Sequence, residues 1–172
     1  MQIRAFEAGD EAGIDGLLKA AFPGPGEARL VTALRAADAD TLELVAEDHG
    51  RIVGTVMFSP VTARTADGED VFGVGLGPVA VTPAHQSRGI GVAMIEAGLD
   101  YLTTLGVPWC VLLGEPDYYA RFGFVPAATW NWSWAGDPDG HFASAFQVKA
   151  LNGAPADGRV AVAHYHAAFL GV

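Results

Sequence analysis

Hydrophobic residues follow two spacings along the chain, and each spacing predicts a different element. Helical spacing is most regular where apolar residues recur at intervals of three, four and three, at Val92, Ile95, Leu99 and Leu102. Helices are predicted from the N-cap Asp10 to residue 21, around residues 28–35, from residue 92 to the C-cap Gly106, and from residue 115 to Gly123.

Apolar runs with strand spacing fill much of the remaining chain. His49 and Gly50 form a turn between two of these runs, which predicts a hairpin. The predicted strands are residues 2–6, 41–47, 51–61, 71–82, 109–113, 143–151 and 160–165. One strand–helix–strand crossover stands at the centre and no domain boundary is evident, so the pattern favours a single α/β domain over residues 1–172.

Composition narrows the class of protein. The 172 residues are 51% hydrophobic and 17% charged, which excludes intrinsic disorder. Ten basic and twenty acidic residues leave a formal charge of −10. A surface of that charge repels phosphate backbones, so nucleic acid is not expected as a partner, although a small basic site for a phosphorylated cofactor remains compatible with it.

The single cysteine, Cys110, lies in the apolar run Trp109–Leu113 and is predicted to be a buried thiol rather than a nucleophile. The first residues lack the charged and then apolar profile of a signal peptide. No apolar run approaches the ~18 residues of a membrane span. We therefore expect a cytoplasmic protein with no membrane partner.

The segment that points to chemistry is Gln86-Ser87-Arg88-Gly89-Ile90-Gly91, which stands between a predicted strand and a predicted helix. A helix N-terminus carries N–H groups without internal partners and a partial positive charge. The two glycines remove Cβ atoms that would hold an anion away, and the Arg88 and Ser87 side chains add donors. The pattern predicts a cradle for phosphate or pyrophosphate.

Other phosphate-binding motifs fit this segment less well. A Walker loop needs Gly-Lys followed by Ser or Thr, which the chain lacks. A dinucleotide fingerprint needs a third glycine or an alanine where Met94 stands. A glycine-rich helix cap without any ligand is the remaining alternative.

The same segment resembles motif A of the GNAT acetyltransferase superfamily, whose pattern is Gln/Arg-x-x-Gly-x-Gly/Ala. Here the pattern reads Gln86-x-x-Gly89-x-Gly91 and follows Val79-Ala80-Val81-Thr82-Pro83. Residues 111–124, with Tyr118-Tyr119-Ala120-Arg121-Phe122-Gly123-Phe124, resemble the next strand and helix of its YhbS-like branch. Shorter similarities at residues 44–47, 52–54, 59–61 and 162–169 extend the resemblance over most of the chain.

The resemblance implies a GNAT-like fold with flanking helices and acetyl-CoA as the co-substrate, without a metal. In that fold two central strands, matching residues 77–81 and 109–113, splay apart around pantetheine. The residues it implies for binding are Val79, Ala80, Val81, Gln86, Ser87, Arg88, Gly89, Ile90, Gly91 and Tyr119. A backbone N–H between Val79 and Val81 would also stabilise the thioester oxyanion.

Tyr119 lies four residues before Gly123, where the family's tyrosine commonly sits near the cofactor sulfur. The resemblance thus implies that Tyr119 is the catalytic general acid for the leaving thiolate, with simple packing as the alternative. The sequence departs from the family at Leu112, where Asn is usual, and in lacking a Glu on the strand at residues 71–81. The amine needs a base or a water chain, and the candidates for the base are Glu27, Glu69, Asp70, His85, Glu115 and Asp117, for each of which a solvated surface charge is the favoured alternative.

Two further clusters carry weaker signals. His164 and His166 would share one strand face, but no third ligand has suitable spacing for a metal. Trp130, Trp132 and Trp134 would line one face of an extended segment. Packing over the sheet or at a dimer interface explains them better than an aromatic wall for a substrate.

The function expected from these observations is transfer of acetyl from acetyl-CoA to a primary amine of a small molecule or protein, by direct attack in a ternary complex. The negative charge favours a cationic acceptor such as a polyamine, an aminoglycoside-like molecule or a lysine side chain. Homodimers are common in the family. The alternatives are a non-catalytic acyl-CoA-binding module and a protein-interaction domain that uses the tryptophan segment.

Overall fold

The computed structural model describes residues 1–153 and 158–172 and has the mixed α/β architecture predicted from the sequence. The strands within these ranges are β1 Gln2–Ala5, β2 Leu42–Asp48, β3 Arg51–Thr65, β4 Asp70–Val81, β5 Trp109–Leu113, β6 Val125–Pro126, β7 Trp132–Trp134, β8 Phe146–Ala150 and β9 Ala161–Tyr165. The α-helices are α1 Glu11–Ala21, α2 Gly26–Ala36, α3 Ile90–Thr104 and α4 Pro116–Tyr119. A 3-10 turn, Ala120–Phe122, continues α4.

The ends of the long helices follow from local chemistry. Gly106 adopts φ 82° after α3, and its N–H donates to Thr103 O at 3.0 Å, while Val107 N–H donates to Leu102 O at 3.1 Å. This glycine termination satisfies carbonyls that the helix itself leaves open. Asp10 precedes α1 as predicted, but its carboxylate makes no capping bond to that helix.

The structure divides into two compact units, to which β3 and β4 both contribute. The first unit comprises Met1–Ser59, Leu76–Tyr101 and Ala167–Val172. Here β1, β2 and the start of β3 pair antiparallel. The α1 and α2 helices bury apolar faces in one core, whose largest members include Ile14, Leu18, Leu34, Val45 and Met57.

Close contacts hold α3 against β3 in the first unit. A Cβ added to Gly98 of α3 would come 2.4 Å from the Phe58 ring, and one added to Gly54 of β3 would come 2.7 Å from Met94 Cε. Gly98 therefore has to be glycine for the helix to approach the strand, whereas a Cβ at Gly54 meets mainly the flexible end of the Met94 side chain. This packing fixes the position of the N-terminus of α3 within the unit.

The second unit comprises Pro60–Gly75 and Leu102–His166. Here β4 and β5 are parallel, as expected for strands joined through a helix, and pair at Val74↔Cys110 and Gly75↔Val111. The β8 strand pairs antiparallel with both β5 and β6, and β9 pairs antiparallel with β3 and parallel with β7. Its core includes Trp109, Val111, Trp132, Phe146, Val148 and Ala163.

Two sequence predictions are corrected in the second unit. The strand predicted at residues 143–151 begins only at Phe146, because the Asp137 carboxylate accepts the N–H groups of His141 at 2.9 Å and Phe142 at 2.8 Å and holds the preceding chain in turns. Trp130 does not belong to the extended tryptophan segment. It lies on a 3-10 turn, and Asn131 with φ 60° separates it from β7.

Candidate functional site

Residues 86–91 form a corner that leads into α3 in the first unit and is exposed at residues 86–89. Ser87 and Gly89 both adopt left-handed backbone, with φ 62° and φ 79°. Lack of room for a side chain does not explain why residue 89 is glycine, because a Cβ added there would meet no atom within 4 Å. The positive φ explains it, since other residues adopt that conformation at a cost of about 1–2 kcal/mol.

The corner leaves three backbone donors at the start of α3. Ala93 N–H makes the first helical hydrogen bond, to Gly89 O at 3.0 Å. The N–H groups of Ile90, Gly91 and Val92 precede it and point out of the helix end, as the first donors of an α-helix do. Gln86, Ser87, Arg88 and Gly89 are exposed beside them. The arrangement is open, carries partial positive charge and suits an anion.

The end of β4 presents backbone groups on the side away from β3. Thr82 N–H donates to Val53 O of β3 at 2.8 Å. The N–H and C=O of a trans peptide point in opposite directions, so the Val81 carbonyl, which shares its peptide with Thr82 N–H, points away from β3. Backbone directions alternate along a strand, so the N–H groups of Val79 and Val81 also point away from β3. The Ala80 side chain is buried in the first core. The implied residues Val79 and Val81 therefore offer backbone groups that β3 does not use.

Gln86 has a role that its place in the motif does not reveal. Its side-chain Nε2 donates to Val81 O at 3.0 Å, which closes the turn between β4 and the corner. The amide side chain is thus engaged with β4, and the backbone of Gln86 begins the exposed corner. Sequence reasoning identified the residue but not this contact.

A hydroxyl, an imidazole and a carboxylate line up beside the same turn. His85 Nδ1 lies 3.0 Å from Thr82 Oγ1, and His85 Nε2 lies 3.5 Å from Asp48 Oδ2. Asp48 also lies 3.5 Å from the Met1 amino group, and His49 lowers its pKa chiefly by hydrogen bonding. Asp48 was not a predicted site residue, because 37 positions separate it from His85 and no local pattern links them.

Tyr119 lies in the second unit, at the end of α4, among aromatic rings. Its centroid is 4.9 Å from that of Tyr118, 6.0 Å from that of Phe122 and 6.1 Å from that of Phe124. Burial, with a smaller contribution from Tyr118, raises the pKa of Tyr119 to about 12. The phenol therefore keeps its proton throughout the physiological range.

Three of the six candidate bases contact other side chains through hydrogen bonds or ion pairs. Asp70 accepts from Arg64 Nε at 2.8 Å, Glu69 accepts from Arg159 at 2.5 Å, and His85 has the contacts described above. Arg64 also lowers the pKa of Asp70, as expected for a paired carboxylate. The other candidates are the half-buried Glu27 and the exposed Glu115 and Asp117.

Cys110 is fully buried, as predicted. His164 is exposed on β9, but His166 follows the end of that strand, so the expected shared strand face is not formed. Among residues 1–153 and 158–172, no group of three or more His, Cys, Asp and Glu side chains is arranged to hold a metal. The described helices include none that is long and apolar enough to cross a bilayer.

Comparisons with known proteins agree with this architecture. Residues 2–127 match the family described as "Acetyltransferase (GNAT) domain". The chain is 38% identical over 172 residues to the uncharacterized N-acetyltransferase YhbS of Escherichia coli K12, covering 98% of each protein.

Two solved structures are also similar to the chain. The structure of E. coli YhbS in complex with CoA has a TM-score of 0.88 and 37% identity, over 98% of this chain and 91% of that one. A Brucella melitensis GNAT acetyltransferase in complex with acetyl-CoA has a TM-score of 0.75 and 37% identity, over 98% of this chain and 97% of that one.

Proposed function

The chain belongs to the GNAT family of N-acetyltransferases, and from that premise we propose that it transfers the acetyl group of acetyl-CoA directly to a primary amine. The observation that carries the proposal is the exposed corner before α3, where left-handed Gly89 leaves the N–H groups of Ile90, Gly91 and Val92 open to an anion. The similar YhbS and Brucella structures hold CoA and acetyl-CoA.

The corner fits a diphosphate by its chemistry. Its donors are backbone N–H groups at a helix N-terminus, joined by the Ser87 hydroxyl and the exposed Arg88 guanidinium. We assign the pyrophosphate of CoA to these groups, with Gln86 holding the corner to the end of β4. A protein of net charge −10 needs such a local concentration of donors to bind a polyanion.

The backbone of Val79, Ala80 and Val81 is proposed to bind the pantetheine arm. Strand amides that β3 does not use can pair with an extended chain of amides, as an added strand would. One of these N–H groups would also stabilise the negative charge that develops on the thioester oxygen. Acetyl-CoA supplies an acetyl group that a neutral amine can attack.

Tyr119 is proposed to donate a hydrogen bond, and finally its proton, to the departing sulfur. In the balanced reaction the amine nitrogen forms the C–N bond, the C–S bond breaks, the sulfur gains a proton and the nitrogen loses one. With a pKa of about 12, Tyr119 is certain to be protonated at neutral pH but is a weaker acid than a phenol in water. Because burial weakens the acid, we propose that the Tyr119 phenol stabilises the departing thiolate by its hydrogen bond, and that it regains the donated proton from solvent.

The acceptor is proposed to be a cationic small molecule or a lysine side chain, as the acidic composition favours. Its ammonium has a pKa of about 10.4 and must lose a proton before it attacks. Direct attack is favoured over an acetyl-enzyme because Cys110 is fully buried. We further propose that both units form one acetyltransferase domain, since the family match crosses both of them. A cytoplasmic location is consistent with a chain whose single cysteine, Cys110, is kept as a thiol.

The binding proposal is tested by Gly89→Glu, with Gly68→Glu as the matched control. Both glycines are exposed, have positive φ and leave an added Cβ free of contacts within 4 Å. Calorimetry with CoA should show at least about a tenfold loss of affinity, or about 1.4 kcal/mol, for Gly89→Glu alone. Equal affinity for CoA in the two folded variants would refute the assignment of the corner.

Catalysis is tested by CoA release from acetyl-CoA with spermidine, kanamycin and a lysine peptide as acceptors. Turnover with any of them supports the enzyme, and Tyr119→Phe should then lower kcat about 10²-fold, as loss of a general acid does. Tight binding of CoA without turnover across a broader amine panel would instead favour a non-catalytic acyl-CoA-binding module.

A further inference from the structure

The segment that carries Tyr119 crosses over β8. It leaves the end of β5 at Gly114 and reaches β6 after Gly123, and β8 lies between these two strands in the sheet. Along β8, Phe146 and Val148 face the core of the second unit. Gln147 and Lys149 alternate with them and so belong to the opposite face of the strand.

Gln147 holds the beginning of this segment. Its side-chain Nε2 donates to Gly114 O at 3.0 Å and to Ala145 O at 3.3 Å. Gln147 is only 1% exposed, so water cannot replace these bonds without a rearrangement. Gly114 is also the residue against which the Tyr119 ring packs, since an added Cβ would come 2.4 Å from Tyr119 Cε2.

Lys149 holds the other end. Its Nζ donates to Phe122 O at 2.5 Å, at the end of the 3-10 turn that continues α4. Gly123 follows with φ 90°, and an added Cβ there would come 2.8 Å from Lys149 Nζ. A cation at the C-terminal carbonyl of a helical turn is a favourable cap.

We infer that Gln147 and Lys149 are positioning residues for Tyr119, fastening the two ends of the segment 114–122 to β8. The inference rests on the proposed role of Tyr119. The segment is short, and α4 has only four residues, so its own hydrogen bonds fix it poorly. The two donors from β8 add to the backbone hydrogen bond from Gly114 N–H to Ala145 O, 3.0 Å long, in holding the ends of the segment. The phenol then keeps a fixed position without any contact between these side chains and the reacting groups.

The variants Lys149→Met and Lys149→Arg separate this role from general packing. Methionine keeps the apolar stem and removes the donor, whereas arginine keeps a cationic donor. Each protein is labelled with [ζ-¹³C]tyrosine, and the four tyrosine resonances are assigned by Tyr→Phe substitutions.

In the wild type, the Tyr119 resonance should not titrate up to about pH 10.5, because its pKa is about 12. In Lys149→Met it should move and begin to titrate below that pH, while Tyr101 and Tyr165 stay unchanged. Lys149→Arg should restore the wild-type signal. Gln147→Met provides the same test at the other end of the segment if Lys149→Met does not fold.

An unshifted Tyr119 resonance in a folded variant lacking either donor would overturn the inference. Equal shifts of all four tyrosines would also overturn it, because they would show a general change of fold. Failure of the acid role is a separate result, since Tyr119→Phe with full turnover would refute that role and leave the measured position of the ring unaffected.

Discussion

The ring of Tyr119 lies directly against the backbone of Gly114. A Cβ on this glycine would stand 2.4 Å from Tyr119 Cε2 and 2.9 Å from Cδ2, well inside van der Waals contact. Gly114 has no positive φ, so the requirement for glycine is steric. The contact joins the end of β5 to the residue proposed as the acid.

We therefore expect Gly114→Ala to displace the Tyr119 ring and to lower the free energy of unfolding by about 1–3 kcal/mol, the usual cost of overpacking. Urea denaturation measures the stability. Gly16→Ala is the control, because Gly16 lies in α1 with no atom within 4 Å of an added Cβ. That change should stabilise the protein by about 0.5–1 kcal/mol. Wild-type stability in Gly114→Ala would contradict the steric account.

Arg4 and Asp10 form a bidentate pair that should make stability depend on pH. Arg4 donates to the two Asp10 oxygens at 2.8 and 2.9 Å, and Glu7 N–H donates to Asp10 at 2.8 Å. The hydrogen bonds from Arg4 lower the pKa of Asp10 against an opposing effect of burial. A carboxyl with a lowered folded pKa stabilises the protein above its unfolded pKa of about 3.9, and this stability is lost as the pH falls through the folded value.

Asp10→Asn should consequently cost about 2 kcal/mol at pH 7. Its unfolding free energy should also fall less steeply than that of the wild type between about pH 5 and pH 2. Denaturation curves at several pH values measure both effects. Asp15→Asn is the control, since the Asp15–Lys19 pair is exposed and should contribute less than about 1 kcal/mol. If the unfolding free energies of Asp10→Asn and the wild type depended on pH in the same way, the proposed contribution of the Arg4–Asp10 pair to stability would be refuted.

Cys110 is 0% exposed, which predicts that its thiol reacts only after unfolding. An aromatic disulfide reagent should label no thiol in the native protein and one thiol in guanidinium. Cys110→Ala should keep CoA affinity and any turnover, with a stability cost of about 1 kcal/mol. Rapid labelling of the native protein, or loss of turnover in a folded Cys110→Ala variant, would favour a mechanism through an acetyl-enzyme over direct attack.

Trp132 is a core residue of the second unit, packed edge-on against Trp109 with ring centroids 4.9 Å apart. Trp132→Ala should lower the unfolding free energy by about 3–5 kcal/mol. Ser133→Ala, at the exposed neighbouring position, should change it by less than about 0.5 kcal/mol. A fully stable Trp132→Ala variant would show that the indole does not belong to the core, and would restore the hypothesis of a tryptophan contact surface.

Local patterns predicted many elements because their causes are local. The 3-4-3 spacing in α3, the glycine after its end and the turn at His49-Gly50 each depend on neighbouring residues. The corner at residues 86–91 was identified for the same reason, since its two glycines, its side-chain donors and the helix start are neighbours in the sequence. Trp130 was misplaced because the left-handed Asn131 gives no strong signal.

Tertiary structure alone decided which distant groups meet. The sequence by itself determined most of the elements, the buried Cys110 and the glycine-rich corner proposed to bind phosphate, because backbone sterics and apolar spacing act over a few residues. The placement of β8 between β5 and β6, and hence of Gln147 and Lys149 beneath the segment of Tyr119, depended on strand pairing across the chain. Gln147 and Gly114 stand 33 positions apart, and only the free energy of burying and pairing their strands brings them together.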